Sequence, residues 1–176
     1  IIAYWAVMRA GAVAVMTNPL YMETELLHQF TDANVRLIVT LDSIWPKVNA
    51  IWDKLPIEKA FIVKTPGTEM SFELVDGQIY SWDSLLKPNS GYTCDSVAAD
   101  DLALLQYTGG TTGVSKGCML THYNLSSNLE QTELMFHVLN LGEEKFVGVL
   151  PYFHIYGLTV CMNLAVKMGA TMLPMP

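Results

Sequence analysis

Apolar positions recur along the chain in two alternating rhythms, one helical and one extended. Ile1 to Ala10 reads as the end of a helix closed by Gly11, and Ala12 to Met16 as a short apolar strand running into the Asn18-Pro19 turn signal. The pair repeats at once. Leu26, Leu27 and Phe30 fall at helical spacing within Met22 to Thr31, and Val35 to Leu41 (VRLIVTL) is a β-branched run with poor alternation, the pattern of a strand covered on both faces. Ser43 to Leu55 places Ile44, Val48, Ile51, Trp52 and Leu55 at helical intervals behind a predicted Ser43 N-cap, and Ala60 to Val63 supplies the next strand.

Between Lys64 and Ala99 the rhythm breaks. Pro66-Gly67, Asp76-Gly77 and Pro88-Asn89 divide the stretch into short pieces around a small helix at Trp82 to Leu86, which reads as an irregular excursion and not as a domain boundary. Asp100-Asp101 then opens a strand, Leu102 to Tyr107 (LALLQY), which runs into a glycine-rich loop and a helix from a Thr121 N-cap to about His137. Phe146 to Leu150 is a strand ended by Pro151, Phe153 to Met168 an apolar helix, and Ala170 to Leu173 a last strand. The alternation predicts an α/β fold of three layers, a mostly parallel sheet flanked by helices, with residues 1–176 as a single partial domain.

Composition narrows the class. With 51% hydrophobic and 15% charged residues, the chain has the makings of a buried core. Seventeen acidic against 10 basic residues leave a net charge of -7, so no basic field exists to draw in a nucleic acid or an anionic surface. Cys94, Cys118 and Cys161 are odd in number and lack C-x-x-C spacing, so they read as free thiols of a reducing, cytoplasmic compartment. Neither Ile1 to Met16, interrupted by Arg9 and Gly11, nor Ile155 to Val166 reaches the roughly 20 apolar residues a membrane span needs. The start at Ile1, inside an apolar pattern, suggests a chain cut into an existing element.

Chemistry concentrates in Tyr107 to Gly117 (YTGGTTGVSKG), where four glycines, three threonines, a serine and a lysine follow an apolar strand directly. Glycines permit positive φ and close approach of a bulky anion, hydroxyls donate to phosphate oxygens, and Lys116 offers an ammonium to a polyphosphate. Strand, loop and helix in that order would aim backbone N–H groups at the anion. The Walker A loop requires G-x-x-x-x-G-K-[ST], whereas Lys116 follows Ser115 and precedes Gly117. Glycines at 109, 110, 113 and 117 do not make the G-x-G-x-x-G dinucleotide fingerprint.

The loop resembles, across all eleven positions, the signature loop of the adenylate-forming superfamily, which includes acyl-CoA synthetases, adenylation domains and luciferases. Its flanks, LALLQ and CMLTHYNL, are most similar to fatty acyl-CoA ligases, while Gly109 and Ser115 stand where serine and proline are frequent. Pro151 to Leu158 (PYFHIYGL) resembles the family's next motif at the expected distance. The resemblance implies a part of the large N-terminal domain of an acyl-CoA synthetase. It also implies that the loop holds the β- and γ-phosphates of ATP with Mg2+ while a carboxylate attacks the α-phosphate. Thr108, Gly109, Gly110, Thr111, Thr112, Gly113 and Lys116 would form that cradle, with Thr108 also near the metal. His154 would be the catalytic side chain beside the acyl carboxylate.

The partners so implied are a medium- or long-chain fatty acid, or another carboxylic acid such as an aryl or amino acid, together with ATP and coenzyme A. Nucleic acid and a transmembrane segment are not expected, and peripheral association with a membrane is left open. Adenine, ribose and glutamate motifs and the family's C-terminal lysine are not found in the sequence, so residues 1–176 are expected not to complete adenylation alone and to self-associate through exposed apolar faces. A structural, inert unit is the alternative from another class. His28, His122 and His137 read as ordinary helix or surface histidines, and Cys118 as a small buried hydrophobe near a helix start. Tyr152, Phe153 and Tyr156 either line an acyl pocket or pack in the core.

Overall fold

The computed structural model describes residues 1–68, 72–86, 91, 93–94, 96–109, 113–136 and 138–175. In chain order its elements are α1 (Ile2–Arg9), β1 (Ala14–Met16), α2 (Glu23–Asp32), β2 (Leu37–Leu41), α3 (Trp45–Asn49), β3 (Lys59–Val63), β4 (Ile79–Ser81), β5 (Leu102–Thr108), β6 (Lys116–Thr121), α4 (His122–Met135), β7 (Lys145–Gly148), α5 (Leu164–Lys167) and β8 (Thr171–Pro174). Short 3-10 turns occupy Trp52–Lys54 and Trp82–Leu85, and a π-helical stretch, Gly157–Asn163, leads into α5. The fold is mixed α/β with sheets flanked by helices. Contacts gather the chain into two compact units, residues 1–18 with 94–176, and Pro19–Thr93; their border at 93/94 falls in the irregular stretch.

In the unit of residues 19–93, β2, β3 and β4 form a fully parallel sheet, with Ile38 opposite Ala60 and Ala60 opposite Ile79. Its core gathers Leu26 and Phe30 of α2, Trp45 and Val48 of α3, and Ala60 and Ile62 of β3. Four expectations are corrected here. β4 lies inside the supposed excursion and was masked by its brevity. β2 is an edge strand: Leu37, Val39 and Leu41 are exposed while Ile38 packs inward, so one face is open. The helix expected over 43–55 is shorter: Pro46 fits the first turn of α3, which starts at Trp45 and ends at Asn49, and a 3-10 turn over Trp52–Lys54 replaces the rest. Ser43 does not cap it; its N–H donates to Asp42 Oδ1 at 2.8 Å and Ile44 holds the cap position.

In the other unit β1 runs parallel to β5, with Ala14 opposite Leu104, and β7 runs parallel to β8. The core joins Tyr4 and Met8 of α1 to Ala103 and Leu104 of β5 and to Leu158 and Met162 of the π-helical stretch. Leu104 and Leu158 are fully buried, each worth roughly 1.5–3 kcal/mol against exposure. Lys167 of α5 pairs with Glu130 (2.5 Å) and Glu133 (2.8 Å) of α4, and the two carboxylates push its ammonium pKa up. The helix expected over 153–168 is therefore π-helical for seven residues, a form that recurs at functional sites. Among the described residues no helix is long and apolar enough to cross a membrane.

The strand–loop–helix expectation also changes. β6 intervenes between loop and helix and pairs antiparallel with β5, so the phosphate-loop candidate is the connection of a hairpin. Thr121 caps α4 as expected, accepting from Asn124 N at 3.1 Å while Asn124 Oδ1 accepts from Thr121 N at 3.0 Å.

Candidate nucleotide site

β5 leaves the core with Ala103 and Leu104 at 0% exposure, still buries Gln106 and Tyr107, and emerges at Thr108. Across the hairpin Thr108 pairs with Lys116, Tyr107 with Gly117 and Gln106 with Cys118. Paired residues share a face and alternate along each strand, so Thr108, Lys116, Gln106 and Cys118 lie on one face and Tyr107 on the other. A Cβ on Gly117 would come 3.0 Å from the Tyr107 ring, so this glycine makes room for an aromatic neighbour.

Gly109 and Gly113 obey a different logic. An added Cβ at either would meet nothing within 4 Å, and neither has positive φ. The expected use of positive φ is therefore corrected for the described loop glycines. At 109 and 113 no contact among the described residues demands glycine, and what it leaves is bare backbone that a bulky anion can approach. Gly110, Thr111 and Thr112 lie outside the described residues. Thr108 and Lys116 are exposed at the mouth, and among the described residues Lys116 has no ion-pair partner. Cys118 is exposed, not buried, because β6 is the edge strand of its sheet.

The second motif forms a closed turn after β7. His154 N donates to Pro151 O at 3.1 Å, Leu158 N to His154 O at 2.9 Å, and Tyr156 N to His154 Nδ1 at 3.3 Å. Nδ1 is thus the acceptor, so the neutral ring carries its proton on Nε2. Gly157 is sterically required: a Cβ there would collide with the Pro151 carbonyl and sit 3.0 Å from Leu150 O. His154 is exposed and, with Leu150, Pro151, Phe153 and Tyr156, lines an open concavity of about 430 Å³. Phe153 and Tyr156 therefore belong to the concavity, whereas Tyr152 packs against the core beside Gly148, and burial pushes its phenol pKa up.

One contact joins the two motifs, and sequence reasoning missed it: Gln106 Nε2 donates to Phe153 O at 3.1 Å. The signal was a lone amide inside the apolar run LALLQY. The bond lays the His154 turn on the hairpin face that Thr108 and Lys116 share, two residues or about 7 Å along the strand from Gln106.

Elsewhere the histidines carry no motif: His122 N donates to Asp101 O at 3.1 Å, His28 lies on α2, and His137 is outside the described residues. Among the described residues no group of three His, Cys, Asp or Glu could hold a metal ion.

The whole chain, residues 1–176, matches the family model of AMP-binding enzymes, and it belongs to that family. It is 36% identical to the long-chain-fatty-acid-CoA ligase of Bacillus subtilis, over 100% of this chain and 35% of that protein. Against the ligase of the same description from Salmonella typhimurium the identity is 33%, over 96% of this chain and 34% of the other. Among solved structures, ATP-bound MatB from Rhodopseudomonas palustris superposes with a TM-score of 0.80 at 28% identity, covering 98% of this chain and 32% of that one. A long-chain-fatty-acid-CoA ligase from Archaeoglobus fulgidus does so with 0.77 at 29%, over 98% and 32%. The chain spans about a third of the length of these relatives.

Proposed function

We propose that residues 1–176 are part of one N-terminal domain of an ATP-dependent acyl-CoA ligase and contribute its polyphosphate grip and acyl-side histidine. The observation that carries this reading is the hairpin mouth: Thr108 opposite Lys116, with Gly109 and Gly113 kept bare where no contact among the described residues requires it. Thr108 and Lys116, with Gly110, Thr111 and Thr112 of the same loop, would bind the β- and γ-phosphates of ATP. The Lys116 ammonium would stabilise the charge that grows on pyrophosphate as the acid's carboxylate oxygen forms its bond to the α-phosphorus and the bond to the bridging oxygen breaks. The resulting acyl-adenylate is then open to the coenzyme A thiol, which displaces AMP. Magnesium, when bound, would neutralise phosphate charge beside Thr108. His154, whose Nε2–H is free to donate, would orient the carboxylate.

The apolar lining of the concavity, Leu150, Phe153 and Tyr156, supports a fatty acid over a polar acid. Exposed free thiols at Cys94 and Cys118 are compatible with a reducing cytoplasm, which is part of the proposal.

Cys118 provides the test, because it shares the face of Lys116 at a spacing of two residues. Mg-ATP is expected to slow iodoacetamide alkylation of Cys118 several-fold and to leave Cys94 unchanged, as read by peptide mass spectrometry. Equal Cys118 rates with and without nucleotide would count against a nucleotide site at this hairpin.

A further inference from the structure

Gln106 stands out as a buried polar side chain that the loop chemistry does not use. It is 7% exposed in a strand whose neighbours toward the core are Ala103 and Leu104, and an amide there loses hydration that an apolar residue would not. The Gln106 amide nitrogen donates to the Phe153 carbonyl, 47 residues downstream, and its Oε1 is buried with no protein partner among the described residues. Phe153 directly precedes His154, and Gln106 precedes Thr108 by two residues on the same face.

The turn itself is rigid. Three hydrogen bonds within 151–158 and the contact of Gly157 on the Pro151 carbonyl set its internal shape, including the His154 Nδ1 acceptor. Internal rigidity does not set where the turn stands relative to the hairpin. Packing of Leu158 against Ala103 and Leu104 seats the turn on β5, and the bond from Gln106 adds a directional tie between the strand and the residue before His154.

We infer that Gln106 is a positioning residue, holding the His154 imidazole in register with the Thr108–Lys116 mouth through the Phe153 carbonyl. The catalytic meaning of that register rests on the acyl-CoA ligase reading; the coupling itself does not.

The test uses the 176-residue chain with labelled histidine and glutamine. In the wild type, one Gln106 Nε2 proton is expected to exchange at least about tenfold more slowly than those of the exposed Gln131, and equal exchange would overturn the inference even if every variant misfolded. In Gln106→Met, which keeps length and removes the donor, the His154 ring resonances are expected to move toward those of an unstructured histidine while circular dichroism stays native. Unmoved His154 resonances in a folded Gln106→Met protein would overturn it. Magnesium tripolyphosphate added to the wild type is expected to shift the His154 resonances, with the shift at least halved in the variant at saturation. A wild type that fails to bind tripolyphosphate would contradict the nucleotide reading alone, because the unliganded comparison still decides the role of Gln106.

Discussion

Asp42 shows how a single residue can knot two strand ends. It is 3% exposed at the end of β2, and its carboxylate accepts from Thr65 Oγ1 (2.5 Å), Thr68 Oγ1 (2.8 Å), Thr65 N (3.1 Å) and Ser43 N (2.8 Å). The Thr65 hydroxyl above all, then the Thr68 hydroxyl and the two backbone donors, lower its pKa from 3.8 to about 2, against burial, which works the other way. A carboxyl whose pKa is depressed on folding stabilises the fold fully above its unfolded value. That contribution is lost as pH falls from 3.8 through about 2. Thermal midpoints measured across this window are expected to fall more steeply for the wild type than for Asp42→Asn, which should already be less stable at neutral pH; parallel curves would contradict the assignment. None of this was readable from Asp42 in sequence, because Thr65 and Thr68 lie 23 and 26 residues away. The loop was readable, since its residue types state their chemistry one by one. The reason for each glycine was not: Gly117 answers to Tyr107, whereas Gly109 and Gly113 meet no neighbour among the described residues.

At the scale of elements, the sequence disclosed whatever depends on local periodicity. α1, α2, β3, β5, α4 and β8 fall within a few residues of their expected places, and Thr121 caps α4 as its position suggested. β6 and β4 escaped because strand pairing is non-local: CMLT offers too few alternating positions to show that it will pair with β5. The turn from β7 into the π-helical stretch depends on close approach, which yields a paired prediction. Gly157→Ala should destabilise the protein by about 1–3 kcal/mol, because the new methyl meets the Pro151 carbonyl. Gly113→Ala, with open space and ordinary φ, should stay within about 0.5 kcal/mol of wild type. Urea unfolding reads both, and equal losses would show that the Gly157 contact is not the constraint described.

At the scale of the whole molecule, each compact unit has its own core and its own part. The unit of residues 19–93 is held by its parallel sheet and the Asp42 knot, and the unit of 1–18 with 94–176 carries both motif segments. The chain belongs to the AMP-binding enzymes along all 176 residues and spans about a third of the length of its relatives. In the proposed function the β5–β6 hairpin grips the polyphosphate of ATP. Calorimetric titration of Mg-ATP into the wild type and Lys116→Ala tests this most directly. One-to-one binding by the wild type, weakened at least about tenfold in a Lys116→Ala protein with an unchanged melting temperature, is the predicted result. No binding by the folded wild type, or equal affinity in the two proteins, would contradict it.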